Sequence, residues 1–241
     1  MMSNLFAEIA KNVVFVLEFL AVVVAIFIAA KIVEKVEKKK TGNTERILTT
    51  RKLTMIGMFS AIAALLMIFE FPMPFAPSFY KLDFSEIPVL ITAFAFGPVA
   101  GVMVEFCKIV LNLLMDSTTT AFVGELANFM VGCSFILPAS IIYLHKKNRK
   151  SAIVGCVIGT VCLTVFGTSF NAIYLVPKFA ELYGMPLEAI IGMGTAINPA
   201  ITDLTTLVMF AVAPLNIIKG VSVSVITMLI YKKLSRFMKA M

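Results

Sequence analysis

Five ionisable side chains lie inside apolar runs of the sequence, where charge is costly. They are Glu105, Lys108, Glu125, Asp203 and Lys219. A lysine at the centre of a bilayer costs about 2.5 to 3.5 kcal/mol on insertion scales, so each position is a candidate for function. The carboxylates could act as acids or bases, and the lysines could donate hydrogen bonds to a bound molecule. Glu105 and Lys108 are three residues apart, which favours an internal ion pair on one helix.

Lys219 differs from Lys108 because no acidic residue lies at helical spacing from it. Asn216 comes one turn earlier, in the stretch PLNIIKG directly after Pro214. The spacing places both side chains on one helix face beside a predicted proline kink. They could bind a ligand, or they could satisfy the kink and a carboxylate on another helix. Asn171, in SFNAIYLVP, is a weaker candidate because helix–helix hydrogen bonding explains most such asparagines.

A stiff aromatic segment, FPMPFAPSFYKLDFSEIP, occupies residues 71–88 between two apolar runs. Pro72, Pro74 and Pro77 restrict the backbone and remove hydrogen-bond donors, while the phenylalanines and Tyr80 supply flat apolar faces. We expect a rigid loop that covers the mouth of a helix bundle as a lid for a planar ligand. The alternative is an aromatic belt at the membrane interface with prolines at helix ends.

The motifs of common enzymes are absent from the sequence. It contains no GxxxxGK[ST] phosphate loop, no HExxH and no GxSxG. His145 is the single histidine and stands in a basic turn, and the four cysteines lie in apolar runs without a CxxC spacing. These features argue against a zinc site, a histidine-based catalytic site and a disulfide framework, and we expect no metal or cofactor.

The composition predicts the solvent in which these residues must be positioned. Of the 241 residues 60% are hydrophobic and 15% are charged, with a mean hydropathy of +0.97, so the expected fold is an all-α polytopic membrane helix bundle in the lipid bilayer. The net charge of +7 could suggest nucleic acid. However, most of the Lys and Arg residues fall in the segments 31–52, 146–150 and 232–239, the pattern of cytoplasmic loops, so no nucleic-acid partner is expected.

The chain can be threaded through these basic segments without contradiction. Residues 1–33 form an additional N-terminal transmembrane helix, residues 34–52 a basic cytoplasmic linker, and residues 53–241 a six-helix core. The N-terminus is expected outside and the C-terminus in the cytoplasm. Gly97-Pro98 should divide the run from Phe84 to Met115 into a short and a long helix.

Small residues form two stripes at helical spacing. Gly57, Ser60, Ala61 and Ala64 give one flat stripe suited to close contact with another helix. Gly155 and Gly159 form a GxxxG, for which packing within the bundle is the preferred interpretation.

Five stretches in order carry a family resemblance: the segment 71–88, FGPVAGVMVEFCK, GELANFMVGCSF, FNAIYLVP and PLNIIKG. Over residues 51–237 the chain resembles the substrate-binding membrane subunit, or S component, of energy-coupling factor (ECF) transporters, of the riboflavin-binding type. The resemblance implies a six-helix core that binds one vitamin with high affinity and has no catalytic activity. It also implies partners, namely a transmembrane coupling protein (T component) and two ATPase subunits.

The resemblance also implies roles for individual residues. Asn171, Asn216 and Lys219 match the polar side chains that bind riboflavin in this family, and the loop from residue 75 to residue 83 matches the lid of that site. The stripe that begins at Gly57 matches the surface that docks on the coupling protein. The expected ligand-binding set is Phe75, Tyr80, Lys81, Asp83, Glu125, Asn171, Asn216 and Lys219. The N-terminal helix and the long segment 178–203 depart from the family pattern.

Three alternatives stay open from the sequence. Other S components bind thiamin, biotin or folate, so the vitamin depends on the riboflavin-type motifs alone. An intramembrane enzyme would use Glu125 or Asp203 as its acid or base. A structural membrane adaptor would use the stripe that begins at Gly57 without any small ligand.

Overall fold

The computed structural model describes residues 9–42, 46–118 and 120–240, with side chains up to residue 231. Parts of three predicted features lie outside the described residues. These parts are the start of the N-terminal unit, residues 43–45 of the basic linker, and the side chains of the basic segment 232–239.

Most of the described chain is helical. The helices are α1 (Val13–Thr41), α2 (Thr50–Ile68), α3 (Glu86–Phe96), α4 (Pro98–Asp116), α5 (Val123–His145), α6 (Arg149–Phe170), α7 (Val176–Tyr183), α8 (Leu187–Thr195), α9 (Leu204–Leu207) and α10 (Ala213–Ala240). Two short strands, β1 (Phe71–Pro72) and β2 (Lys81–Leu82), pair antiparallel between α2 and α3. The prediction of a helix bundle is confirmed, and the small sheet was not predicted.

Within the described residues, six helical segments are long and apolar enough to cross a membrane, and α3 is a shorter apolar helix. Four of the six are α1, α2, α4 and α5, and the others are the continuous stretches Arg149–Tyr183 and Leu204–Tyr231. These seven elements are the helices that the sequence predicts. The protein is therefore a multi-pass membrane protein.

Helix α3 forms the centre of the bundle. Its side chains at Val89, Leu90 and Phe94 are almost fully buried, and α2, α4, α5 and α10 surround it. Such all-round burial explains how an eleven-residue helix is retained although it is shorter than the roughly 20 residues of a full span.

The predicted break between α3 and α4 is present at Gly97-Pro98. Gly97 has φ of +106°, a conformation that favours glycine, and Pro98 occupies the first turn of α4. A Cβ at position 97 would also lie 2.7 Å from the Glu34 carboxylate of α1. The backbone conformation therefore favours glycine at this position, and a Cβ there would also displace the carboxylate of Glu34.

Helices α6 and α10 are each distorted by a π-helical turn. The turns are Asn171–Leu175 and Val208–Val212. Each ends two residues before a proline, which is Pro177 for the first turn and Pro214 for the second. Proline lacks an N–H and its ring clashes with the carbonyl four residues earlier, so a widened turn accommodates it. The predicted distortion near Pro214 is confirmed, and its form is a π-helical turn.

The additional helix α1 packs along α4 and α5. Phe19, Val23 and Ala30 are buried on this face. Near the other end of α1, the fully buried Glu34 accepts a hydrogen bond from the Val99 N–H at 3.1 Å and pairs with Lys38 at 3.3 Å. Glu34 thereby caps the first turn of α4, where N–H groups lack partners within the helix and the helix dipole favours an anion.

Helix α1 continues beyond the predicted end of its apolar run. It ends at Thr41, where Gly42 adopts the left-handed conformation, so residues 34–41 of the predicted linker are helical. Glu37 contacts His145 at the end of α5. The division of the chain into an N-terminal helix, a linker and a core stays a prediction.

Candidate functional site

The aromatic segment folds into a hairpin over one end of the bundle. Phe71 pairs with Leu82 and Pro72 with Lys81, and the Tyr80 N–H donates to Pro77 O at 2.8 Å. The tip packs on the segment 178–203 through Ala76, with Phe75 and Tyr80 partly buried against the same apolar cluster. The hairpin is thus connected through the chain to α2 and α3, and its tip packs against α8.

Tyr80 connects the hairpin to the distorted part of α6. Its hydroxyl donates to Asn171 Oδ1 at 3.1 Å, and burial raises the pKa of Tyr80 above its ordinary value, so the hydroxyl keeps its proton. Asn171 Nδ2 donates to Gly167 O at 2.8 Å. The amide of Asn216 lies against the same glycine, since a Cβ on Gly167 would be 2.6 Å from Asn216 Nδ2.

Lys219 lies one turn beyond Asn216 and reaches the residue that follows the hairpin. Its Nζ is 2.9 Å from Asp83 Oδ2 and 3.7 Å from Glu86 Oε1. Burial would raise the pKa of the Asp83 carboxyl, but the ammonium groups of Lys219 and Lys108 and the Ser85 N–H outweigh it and hold the pKa well below its usual range. Asp83 is therefore ionised and anchors Lys219.

A second buried lysine extends this ion pair into the bundle. Lys108 Nζ contacts Glu86 Oε1 at 2.7 Å, Glu105 Oε1 at 2.9 Å and Ser85 Oγ at 3.1 Å. The predicted pair of Glu105 and Lys108 is present, but it belongs to a larger network that joins α3, α4 and α10. Asp83, Glu86, Glu105, Lys108 and Lys219 are called the ion network below.

The structure brings together five of the eight residues expected to bind a ligand. Tyr80, Asn171, Asn216, Lys219 and Asp83 form one connected group at the hairpin end of α6 and α10. Phe75 lies beside Tyr80 in the apolar cluster under the hairpin.

The remaining two expected residues, Lys81 and Glu125, are placed elsewhere. Lys81 is exposed and pairs with Glu70 at the base of the hairpin, so its ammonium points away from the group. Glu125 accepts a hydrogen bond from Thr120 at 2.9 Å, and no polar contact among the described residues joins it to Asn171 or Lys219. The structure does not bring these two residues into the connected group, and a role for them in ligand binding stays a prediction.

Asp203 is not an intramembrane carboxylate. It is exposed and caps α9, accepting from the Thr206 N–H at 2.7 Å, and this hydrogen bond lowers the pKa of its carboxyl. Glu86 is the important residue that sequence reasoning missed. Its signal was its place three residues after Asp83, directly before a run of 18 residues without charge.

The stripe of small residues on α2 is divided by the fold. Gly57 and Ala61 are exposed, and a Cβ on Gly57 would meet nothing within 4 Å. Ser60 and Ala64 are buried inside the bundle, each about 1% exposed. Ser60 and Ala61 are consecutive and lie about 100° apart around the helix, so one faces the bundle and the other does not. Ala64 lies only about 20° from Gly57 around the axis but roughly 10 Å further along the helix, where α2 is covered by the bundle. Docking of a partner on this stripe stays a prediction.

The sequence matches the family described as the substrate-specific component of ECF transporters over residues 51–231. The chain belongs to this family. Its α1 lies outside the matched region, whereas the hairpin, the ion network and the group around Asn171 all lie inside it.

Named relatives of this S component are riboflavin transporters. It is 39% identical to riboflavin transporter RibU of Staphylococcus aureus, over 78% of this chain and 93% of the relative. It is 32% identical to riboflavin transporter FmnP of Bacillus subtilis, over 76% of this chain and 92% of the relative. It is also similar to a solved structure of the S component of a bacterial ECF transporter, with a TM-score of 0.61 and 38% identity over 78% of this chain and 97% of that chain.

Family membership decides which class of protein this chain belongs to. An S component is the substrate-specific part of a membrane transporter, so the chain is a transport protein and not an enzyme, and it associates with the other components of an ECF transporter. The interpretations as an intramembrane enzyme and as a ligand-free adaptor are therefore wrong.

Proposed function

We propose that this S component binds riboflavin and passes it to an ECF energising module for uptake. The observation that carries the proposal is the joining of Tyr80, Asn171, Asn216 and Lys219 at one end of the bundle, in a chain whose named relatives are riboflavin transporters. Asn216 Nδ2 is buried and finds no hydrogen-bond partner among the described residues, so it is free to donate to a ligand.

The chemistry of this group suits a flavin. Amides donate and accept hydrogen bonds, and an ammonium donates up to three, which fits the ribityl hydroxyls and the ring carbonyls. Phe75 and Tyr80 offer aromatic faces for the flat isoalloxazine ring. In this proposal riboflavin is the transported substrate and not a cofactor. The hairpin, which holds Tyr80 over Asn171, is the lid.

The proposal includes the partners and the orientation. The coupling protein and two ATPase subunits supply the energy, and the coupling protein docks on the exposed face of α2 around Gly57 and Ala61. The N-terminus faces outside and the C-terminus the cytoplasm, so the hairpin opens to the outside. The basic residues at the end of α1 and after α5 support this orientation.

The first test is the visible absorption and fluorescence of the protein purified in detergent, with the released small molecules identified by mass. We expect copurified or added riboflavin to bind with quenched fluorescence. If the protein binds thiamin, biotin or folate and not riboflavin, that vitamin is the ligand in place of riboflavin. A protein that binds none of these vitamins would contradict the function.

Substituting Gly57 with leucine is expected to separate binding from transport. The side chain enters open space, so stability and riboflavin affinity should stay within about twofold of the wild type, since surface changes cost about 0.5 kcal/mol or less. Uptake by cells that contain the energising module should fall at least tenfold, because the added bulk prevents close helix contact.

Gly192→Leu is the matched control for this experiment. Gly192 is exposed on α8 with nothing within 4 Å of an added Cβ, and it lies far along the chain from α2. This variant should retain full uptake. Equal uptake by the two variants would contradict docking at Gly57, and lost riboflavin binding in Gly57→Leu would show that α2 acts on the site itself.

A further inference from the structure

The ion network has an unbalanced charge. Its three carboxyl groups face two lysines, and each side chain is at most 11% exposed. With every group ionised, the network would carry one net negative charge inside the bundle. An uncompensated charge in such a site costs several kcal/mol, and it is normally removed by a proton or a counter-ion.

The neighbouring groups do not supply the missing positive charge. Ser85 and the Cys133 thiol of α5 are the neighbours from the surrounding elements, and both are neutral hydrogen-bonding groups. Gly132 of α5 packs directly against the carboxylate of Glu105. Among the described residues, no cluster of three acidic, histidine or cysteine side chains is arranged to hold a metal ion.

Buried carboxylate oxygens of both glutamates lack a hydrogen-bond donor among the described residues. Glu86 Oε2 and Glu105 Oε2 are buried and have no hydrogen-bond partner among the described residues. Their Oε1 atoms share Lys108 at 2.7 and 2.9 Å, and a Cβ on Gly132 would crowd both carboxyl groups, so the two groups lie side by side. Two carboxylates in such contact repel each other unless one of them carries a proton that it donates to the other.

We propose that Glu86 and Glu105 together bind one proton, which makes the ion network neutral. One carboxyl group holds the proton on oxygen and donates it to the other, so an oxygen that has no partner becomes satisfied. Asp83 stays ionised because Lys219 holds it, and Lys108 is shared by the two glutamates. The proton is thus an additional bound species of this S component, located beside the proposed vitamin site.

The proton affects the vitamin site through Lys219; this consequence rests on the proposed function. Glu86 Oε1 is 3.7 Å from Lys219 Nζ. Loss of the proton would raise the charge of the glutamate pair from one negative to two, which would draw the ammonium away from the ligand and would repel the oxygens of the flavin. Riboflavin therefore binds the protonated form more tightly, and the affinity decreases as the pH rises through the loss of this proton.

The test measures riboflavin affinity against pH for the wild type and for Glu105→Gln, at constant salt. The wild type should lose affinity above neutral pH, by up to about tenfold per pH unit because one proton is involved. Glutamine mimics the neutral acid, so Glu105→Gln should retain the affinity of the wild type at neutral pH and show no such loss. Titration of the flavin itself affects both proteins equally and cancels in their ratio.

Infrared spectroscopy gives a second measurement that needs no ligand. The wild type at neutral pH should show the carbonyl band of a buried protonated carboxyl group, and this band should be missing in Glu105→Gln. Glu188→Gln is the control and should retain the band, because Glu188 is exposed on α8. Should Glu105→Gln fail to fold, the band of the wild type and its loss at alkaline pH test the proposal alone.

The outcomes distinguish this proposal from the proposed function. Absence of the band in the wild type overturns proton binding, whether or not riboflavin binds. Affinity or stability that follows the Na⁺ concentration and not the pH identifies a sodium ion as the counter-ion and also overturns it. A protein that shows the band but does not bind riboflavin retains the proton and contradicts the proposed function.

Discussion

Replacing Lys219 with methionine is expected to weaken riboflavin binding about 10- to 100-fold, because a hydrogen bond from a charged donor contributes about 1.5 to 3 kcal/mol. The same change should destabilise the protein by about 3 to 5 kcal/mol, because it leaves a buried carboxylate without its partner. That carboxylate is Asp83, 2.9 Å from the lysine and 9% exposed. Titration with riboflavin and thermal unfolding in detergent measure the two effects.

A second substitution separates the two effects of Lys219→Met. Adding Asp83→Asn removes the unpaired charge, so Lys219→Met with Asp83→Asn should recover most of the stability without recovering the affinity. Asn216→Ala is the matched control, since its Nδ2 has no partner to lose among the described residues. It should lower the affinity and leave the stability nearly unchanged.

Two results would contradict this account of Lys219. If Lys219→Met with Asp83→Asn binds riboflavin as tightly as the wild type, the lysine has a structural role only. If Asn216→Ala and Lys219→Ala together leave binding unchanged, the site assignment is wrong and the ligand lies elsewhere in the bundle.

The second large effect is expected where α5 and α6 approach most closely. A Cβ at position 155 would lie 2.6 Å from Ala139 O, and one at position 159 would lie 2.7 Å from Phe135 O. Both obstacles are backbone atoms, which cannot rotate away as the end of a side chain can. Gly155→Ala and Gly159→Ala should therefore each destabilise the protein by about 1 to 3 kcal/mol, the usual cost of overpacking.

Thermal unfolding in detergent measures this loss, and Gly192→Ala is its control. Alanine is favoured over glycine inside a helix by about 1 kcal/mol, and Gly192 has open space around it, so this variant should be as stable as the wild type or more stable. If Gly155→Ala unfolds at the same temperature as Gly192→Ala, the close contact between α5 and α6 does not limit stability.

The sequence predicts the helices well because each leaves a strong local signal. Apolar runs mark the spans, Gly97-Pro98 marks a helix end, and Pro214 marks a distortion. The GxxxG at Gly155 and Gly159 also acts locally, since any helix that packs there finds the same flat surface. These features depend on residues that are close in the chain.

The candidate site was predicted less completely because its contacts are distant in sequence. Glu86 was missed because its role depends on contacts with Lys108 and Lys219, which lie on two other helices. Lys81 and Asp83 are two residues apart and would share a face on a regular strand. They separate because β2 ends at Leu82, so that Lys81 stays exposed and Asp83 is buried in the bundle. The end of a strand and the rotation about a helix axis, as for Ser60 and Ala61, decide which side chains face a site, and both require the register that only the structure gives.

The hydrogen bond from Val99 to Glu34 makes the stability of the core depend on α1. The family match starts after α1, but α1 supplies an acceptor to the first turn of α4 inside the matched region. Deleting α1 would leave a buried N–H without its partner, at a cost of about 1 to 3 kcal/mol. A shortened chain that lacks α1 should therefore be less stable by that amount, as thermal unfolding in detergent would measure. The helix outside the family match is therefore coupled to the stability of the core by this hydrogen bond, in addition to the apolar contacts of Phe19, Val23 and Ala30.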